Sequence, residues 1–276
     1  MSNHAQAVHP VPASRSDFDP AFVLALFIIG GSYVVLILAM IAADVAYTTP
    51  EQLLDVLSRR EILYAIKLSL ISCSITAILS TWAAVPLGYV LSRYQFRGKR
   101  LIDALVDIPI VLPPLVVGLS LLILFQTLPA RGFERWFFPV TYEIPAVILA
   151  QFAVSCAFAV RTMRVTFDQI TPRQEQIALT LGCSRSQAFW LVVLPQAKRG
   201  ILTAGTIAWA RALGEFGPIL VFAGTTRMRT EVLSTTVFLE LSVGQLESAV
   251  AVSLVMVVAA AIVLVLVRGI GMDSPR

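Results

Sequence analysis

The sequence predicts an all-α polytopic membrane protein, on three observations. Of its 276 residues, 57% are hydrophobic and only 14% charged, with mean hydropathy +0.82; an average globular domain carries roughly 25% charged residues. Charge-free apolar runs recur at lengths near the ~20 residues that span a bilayer. Basic residues gather in a few connecting loops. Lipid-facing helices cannot carry charge cheaply, which accounts for the deficit. The net charge of +4 therefore reads as topology-setting and not as a nucleic-acid footprint.

Taken in order, residues 1–20 are polar and hold Pro10, Pro12 and Pro20, the pattern of a disordered tail. They lack the basic start and cleavage site of a secretory signal. A transmembrane domain is expected over 21–270. Between Asp19 and Asp44 lie 24 uncharged residues, between Lys67 and Arg93 25, between Asp107 and Arg131 23, between Glu143 and Arg161 17, and between Glu247 and Arg268 20. These are five span candidates. A sixth, Gly200–Phe222, is apolar but interrupted by Arg211 and Glu215; the alternative is five spans and a re-entrant loop.

Charge bias decides between the two. The loop after span two carries Arg93, Arg97, Lys99 and Arg100. The loop after span four carries Arg161, Arg164, Arg173, Arg185, Lys198 and Arg199 against Asp168 and Glu175. Positive loops face the cytoplasm. Loops 47–61 and 227–247 hold at least as much acid as base, and 129–143 is balanced, so these three face outward. The pattern requires six transmembrane helices with both termini inside.

Between spans four and five lies the most informative stretch, Thr171–Pro195. It reads as helix, glycine, helix. Thr171 can cap, Pro172 suits the first helical position, and Gln174 completes a capping box. Gly182 supplies a residue free to adopt positive φ. Ser184 with Gln187 repeats the box for a second short helix, which Pro195 follows. The charges of this segment are solvated, while Ile177, Leu181, Phe189 and Val192 offer an apolar face. It is either a cytoplasmic handle or a linker packed back on the bundle.

The run from Gly182 through nine residues to Val192-Val193-Leu194-Pro195 resembles the signature loop of ABC importer permeases. That pattern is Glu-Ala-Ala, three residues, Gly, nine residues, Ile, any residue, Leu-Pro. Gly182, Leu194 and Pro195 match, and Val192 stands for the isoleucine. The opening departs, because Gln176-Ile177-Ala178 fills the Glu-Ala-Ala slot and Glu175 comes one place early. Asp107–Leu122 and Ala210–Gly224 resemble corresponding stretches of the molybdate, tungstate and sulfate permeases.

The resemblance implies an all-α permease working as a pair, expected as a homodimer in a bacterial or archaeal inner membrane. Each copy would dock on a cytoplasmic ABC ATPase subunit through a coupling helix in 171–195, contributed by Glu175, Gln176, Ala178, Gly182, Val192, Leu194 and Pro195. No Gly-x-x-x-x-Gly-Lys-Ser/Thr loop occurs in the chain. ATP and Mg would be used by that partner, no cofactor being bound by this chain. Solute capture would fall to an extracytoplasmic binding protein. Molybdate or tungstate is the expected cargo, with sulfate or another solute as the alternative.

A transport pathway needs helices that can break where they line a cavity. Pro109, Pro113 and Pro114 remove backbone donors, and Gly118 permits a close backbone approach. Span three is therefore placed on the pathway, a packing kink being the alternative. Arg211 and Glu215, four apart inside span six, share a helical face. They either offer an oxyanion a positive field, with Glu215 holding the arginine, or tie adjacent helices. Gly214 and Gly217 beside them, with Pro218, suggest deformable backbone.

Other classes fare worse. Cys73, Cys156 and Cys183 show no metal or redox spacing, and both histidines, His4 and His9, lie in the tail. No Gly-x-Ser-x-Gly occurs and no membrane histidine could act as a base, which argues against a membrane enzyme. An ion-coupled carrier would leave the 171–195 loop without a use.

Overall fold

The computed structural model describes residues 20–272, and among these it is helical with no strand. The predicted polar tail thus lies, except for Pro20, outside the described residues. The chain divides into two units at Ala46 and Tyr47. The first holds all but the last residue of α1 (Pro20–Tyr47), a 28-residue apolar helix with no buried residue.

The second unit contains α2 (Pro50–Ser58), α3 (Arg60–Arg93), α4 (Lys99–Val111), α5 (Pro114–Gln126), α6 (Leu128–Trp136) and α7 (Ile144–Gln169). After α7 come α8 (Pro172–Thr180), α9 (Arg185–Ala188), a π-helical turn (Phe189–Val193) and α10 (Leu194–Gln196). The chain ends in α11 (Lys198–Leu213), α12 (Gly217–Phe222), α13 (Leu233–Ser242) and α14 (Leu246–Met272). Among the described residues, four helices are long and apolar enough to cross a bilayer: α1, α3, α7 and α14 over Leu246–Val265. A fifth crossing would be the pair α4 and α5, bent by 113°.

Span three is thus not one helix. Leu112 precedes a proline and is pushed to extended geometry, at φ −66° and ψ 141°. Pro113 follows with ψ 133°, and α5 starts at Pro114, where a missing N–H costs no bond. Pro109, by contrast, continues inside α4 without a break. The stretch expected as span six is also divided, since α11 stops at Leu213 and α12 resumes at Gly217.

α3, α7 and α11 pack on one another through small residues. Ala77, Ala84, Ala159, Ala204, Ala208 and Ala212 are buried there, and small side chains allow helix axes to approach closely. A Cβ on Gly88 of α3 would lie 2.8 Å from the Met163 Cβ of α7. One on Gly200 of α11 would lie 2.2 Å from the Thr166 side chain. A second apolar cluster joins α12 to α7, with Ile219, Phe222, Val147 and Ala150 buried and Phe125 of α5 5.1 Å from the Phe222 ring.

Buried polar groups fix the registers. Gln151 of α7 accepts from the Thr76 hydroxyl at 3.1 Å and donates to the Ala212 carbonyl at 3.3 Å, so it ties α3, α7 and the end of α11 together. Beyond that end, the Ser234 hydroxyl donates to the Glu215 carbonyl at 2.6 Å. The break between α11 and α12 is held by side chains from two other helices.

Candidate functional site

The loop after α7 folds by local rules. Pro172 opens α8, but Thr171 makes no side-chain cap and the expected box with Gln174 does not form; the Gln174 N–H donates instead to the Thr171 carbonyl at 3.3 Å. The helix ends in a full Schellman motif. The Cys183 N–H reaches the Ala178 carbonyl and the Gly182 N–H the Leu179 carbonyl, both at 3.1 Å. Gly182 sits at φ +91° with open space around it, so backbone conformation alone requires glycine.

The second box forms as expected. The Gln187 N–H donates to the Ser184 hydroxyl at 3.2 Å, and the Ser184 N–H to the Gln187 carboxamide at 2.8 Å. Pro195 does not terminate this helix. The hydrogen-bond ladder slips by one residue before it, the Leu194 N–H reaching the Phe189 carbonyl, and the π turn makes room for the proline ring. The Gln196 side chain then donates to the Val192 carbonyl at 2.8 Å.

The loop is fastened to the ends of α3 and α7 by the acid that comes one place early. Glu175 accepts from the Tyr89 hydroxyl at 2.6 Å, and the Arg93 Nε lies 3.5 Å from its other oxygen. Arg93 and Glu175 are only 11% and 15% exposed, so water screens the pair weakly. Arg93 also donates to the Ile170 carbonyl at 2.7 Å. The Tyr89 ring meets Phe167 of α7 and Phe189 of the π turn edge-on, at 5.5 and 4.7 Å.

The expected apolar face is therefore split. Phe189 turns inward on Tyr89 and Val192 is half-buried, while Ile177 and Leu181 stay exposed at 49% and 79%. Gln176 and Pro195 are exposed, Leu194 is half-buried, and Ala178 is buried. One side of the loop grips the bundle; the other presents Gln176, Ile177 and Leu181 outward.

The broken segments meet each other. A Cβ on Gly118 of α5 would lie 2.7 Å from the Pro218 Cα of α12, and one on Gly217 would lie 3.0 Å from the Leu115 nitrogen and the Pro114 Cβ. Pro114, Gly118 and Gly217 thus form one close backbone crossing, while Pro109 stays apart in α4. Gly214 has no such constraint: its φ is −83° and a Cβ would meet nothing closer than 3.9 Å.

Arg211, in the last turn of α11, lies 2.7 Å from the Glu215 carboxylate, without hydrogen-bond alignment on that oxygen. Glu215 is 1% exposed and Arg211 32%. The Arg211 guanidinium also lies 5.6 Å over the Phe158 ring of α7, within cation–π reach.

Other polar clusters went unread in the sequence. Arg161 and Arg164 of α7 bind Asp103 and Asp107 of α4, the Arg161 Nη1 reaching Asp103 at 3.0 Å. Asp103 and Asp107 are spaced i, i+4, and Arg161 and Arg164 i, i+3; that face matching was the available signal. The three loops read as outward also come together. Arg227 bridges Glu61 at 3.0 Å and Glu240 at 2.8 Å, Arg229 pairs with Glu143, and Gln52 donates to Glu247 at 2.6 Å. Behind Arg227, Glu231 is fully buried with neither carboxylate oxygen hydrogen-bonded, and burial pushes its carboxyl above the ordinary range. Among the described residues, no group of three or more histidine, cysteine or acidic side chains is placed to hold a metal ion.

The sequence matches a known family over residues 84–272, the binding-protein-dependent transport system inner membrane components. The chain belongs to that family. It is thus a transport component, a multi-pass inner-membrane permease without catalytic activity of its own. Among its relatives is the sulfate transport system permease protein CysT of Escherichia coli, 31% identical over 82% of this chain and 83% of that one. The molybdate/tungstate transport system permease protein WtpB of Pyrococcus abyssi is 36% identical over 59% of this chain and 61% of its own. In fold, the permease superimposes on a chain from the crystal structure of a bacterial ABC transporter involved in the import of the acidic polysaccharide alginate. The TM-score is 0.72 at 18% identity, over 93% of this chain and 96% of that one.

Proposed function

We propose that this chain is the membrane-spanning subunit of an ATP-driven importer for a tetrahedral oxyanion, with molybdate or tungstate the first reading. The observation that carries the coupling part is the loop pinned through Glu175 to Tyr89 and Arg93, with Gln176, Ile177 and Leu181 left facing away. A lever needs both features: a fixed inner side that transmits displacement to α3 and α7, and a free outer side for a partner to hold.

The fuller reading has six spans, with α11 and α12 together as the interrupted one, and both termini in the cytoplasm of a bacterial or archaeal cell. Two copies would pair, each on one ATPase subunit that uses ATP and Mg, with a binding protein delivering solute outside. The charge bias supports this topology. So does the clustering of Glu61, Glu143, Arg227, Arg229 and Glu240, drawn from the three acid-rich or balanced loops. ATP binding would draw the coupling loops together and reopen the spans outward. The crossing of α5 on α12 and the Arg211–Glu215 pair would border the path.

Sulfate is a second reading, because a sulfate transport system permease is among the relatives. Reconstitution with the ATPase and binding protein tests both. Molybdate, tungstate or sulfate should stimulate ATP hydrolysis, and stimulation by none of them, with another solute active, would remove the oxyanion reading.

A further inference from the structure

The α11 face beside α7 carries polar chemistry that neither the coupling loop nor the α5–α12 crossing uses. Where the C-terminal end of α7 meets the N-terminal end of α11, a cavity of about 610 Å³ is lined by Arg161, Thr166, Gln169, Gln196, Arg199 and Thr203, and no acidic residue borders it. From there the ridge Arg199, Thr203, Ile207 and Arg211 follows α11 at four-residue steps. At about 1.5 Å per residue it covers about 18 Å along the helix. Both ends of the ridge abut α7. Thr203 shares the cavity with Arg161 and Thr166, and Arg211 lies over Phe158.

The donors here are few and partly engaged. The hydroxyls of Thr166 and Thr203 each donate to a carbonyl one turn back, at 2.8 and 2.9 Å. Arg161 is held by Asp103 and Asp107. Gln196 spends one amide hydrogen on the Val192 carbonyl. A dianion in the cavity would therefore meet the Arg199 guanidinium, an Arg161 charge already largely balanced by the carboxylates behind it, and a small number of remaining N–H groups. Such a place attracts an anion without retaining it.

We propose that this ridge and cavity are the exit tract of the translocated solute, ending in a low-affinity site for a tetrahedral dianion where the end of α7 meets the start of α11. The proposal rests on the oxyanion reading above and adds to it the residues that the anion passes after Arg211.

The test uses the whole complex with its ATPase in nanodiscs, without nucleotide, carrying Thr203→Cys in a Cys156→Ala, Cys183→Ala background that still hydrolyses ATP. A negatively charged thiosulfonate should label position 203 about threefold or more faster than a positively charged one, because local potential concentrates the matching ion. Tungstate or sulfate should slow that labelling more than chloride at equal ionic strength. In proteoliposomes Thr203→Glu should lower uptake about tenfold through charge repulsion, while stimulation of ATP hydrolysis by loaded binding protein persists. Thr203→Gln, which adds bulk without charge, should lower uptake several-fold less than Thr203→Glu does, and equal losses in the two variants would overturn the tract. Labelling indifferent to reagent charge and to oxyanion, in a complex that imports normally, would overturn the tract alone. A wild-type complex that imports none of the three oxyanions would instead remove the reading beneath it.

Discussion

Glycine serves opposite ends in the loop after α7 and in the crossing of α5 on α12. Gly182 has open space on every side and is required by a φ of +91°. Gly118 and Gly217 have ordinary φ values and no space at all, the Pro218 and Leu115 backbones lying where a Cβ would go. The first position is a demand on conformation and the second on volume. An exposed turn can take a left-handed glycine without strain, whereas a crossing inside the bundle must be tight.

Substitutions can break this contrast. Gly118→Leu should have the largest effect, because the colliding atoms are backbone and cannot rotate away; we expect a loss of about 3 kcal/mol or more. Thermal unfolding in detergent would read it, and a wild-type melting temperature would refute the close crossing. Next comes the clamp on the loop. A double-mutant cycle of Tyr89→Phe and Glu175→Gln should return a coupling of about 1 kcal/mol, and additive effects would mean that the 2.6 Å contact is idle.

Gly182→Val should cost about 1–2 kcal/mol, since a β-branched residue in the left-handed region pays only local strain. The same change at 118 would cost more, and the reverse order would undo the comparison. Gly214→Ala should be the mildest, within about 0.5 kcal/mol by the same melting assay. Its φ of −83° and the 3.9 Å clearance leave nothing for a methyl group to disturb.

What was legible in the sequence was mostly local. The Ser184–Gln187 box, the Gly182 cap and the break at Pro113–Pro114 depend on residues within a few positions of one another, and all three are present. Thr171 shows the limit of that grammar: the right residue in the right slot makes no cap, and the backbone carbonyl takes the bond. Pro109 was read with its neighbours but sits in an unbroken helix, because one missing donor bends a ladder less than two adjacent prolines do.

Tertiary partners were out of reach. Glu175 finds Tyr89 86 positions away and Gln151 finds Cys73 and Thr76, and no spacing within one helix announces such pairs. Gly118 was the exception, since an unbranched residue beside a proline break already suggested that another backbone comes close.

The central claim is that displacement of the 171–195 loop is what opens the spans. Gly182→Val addresses it most directly, measured as oxyanion uptake per ATP hydrolysed in proteoliposomes holding the complete complex. The account predicts a protein inserted in the membrane, ATP hydrolysis that continues, and uptake per ATP that collapses. Full uptake at the wild-type ratio would contradict it.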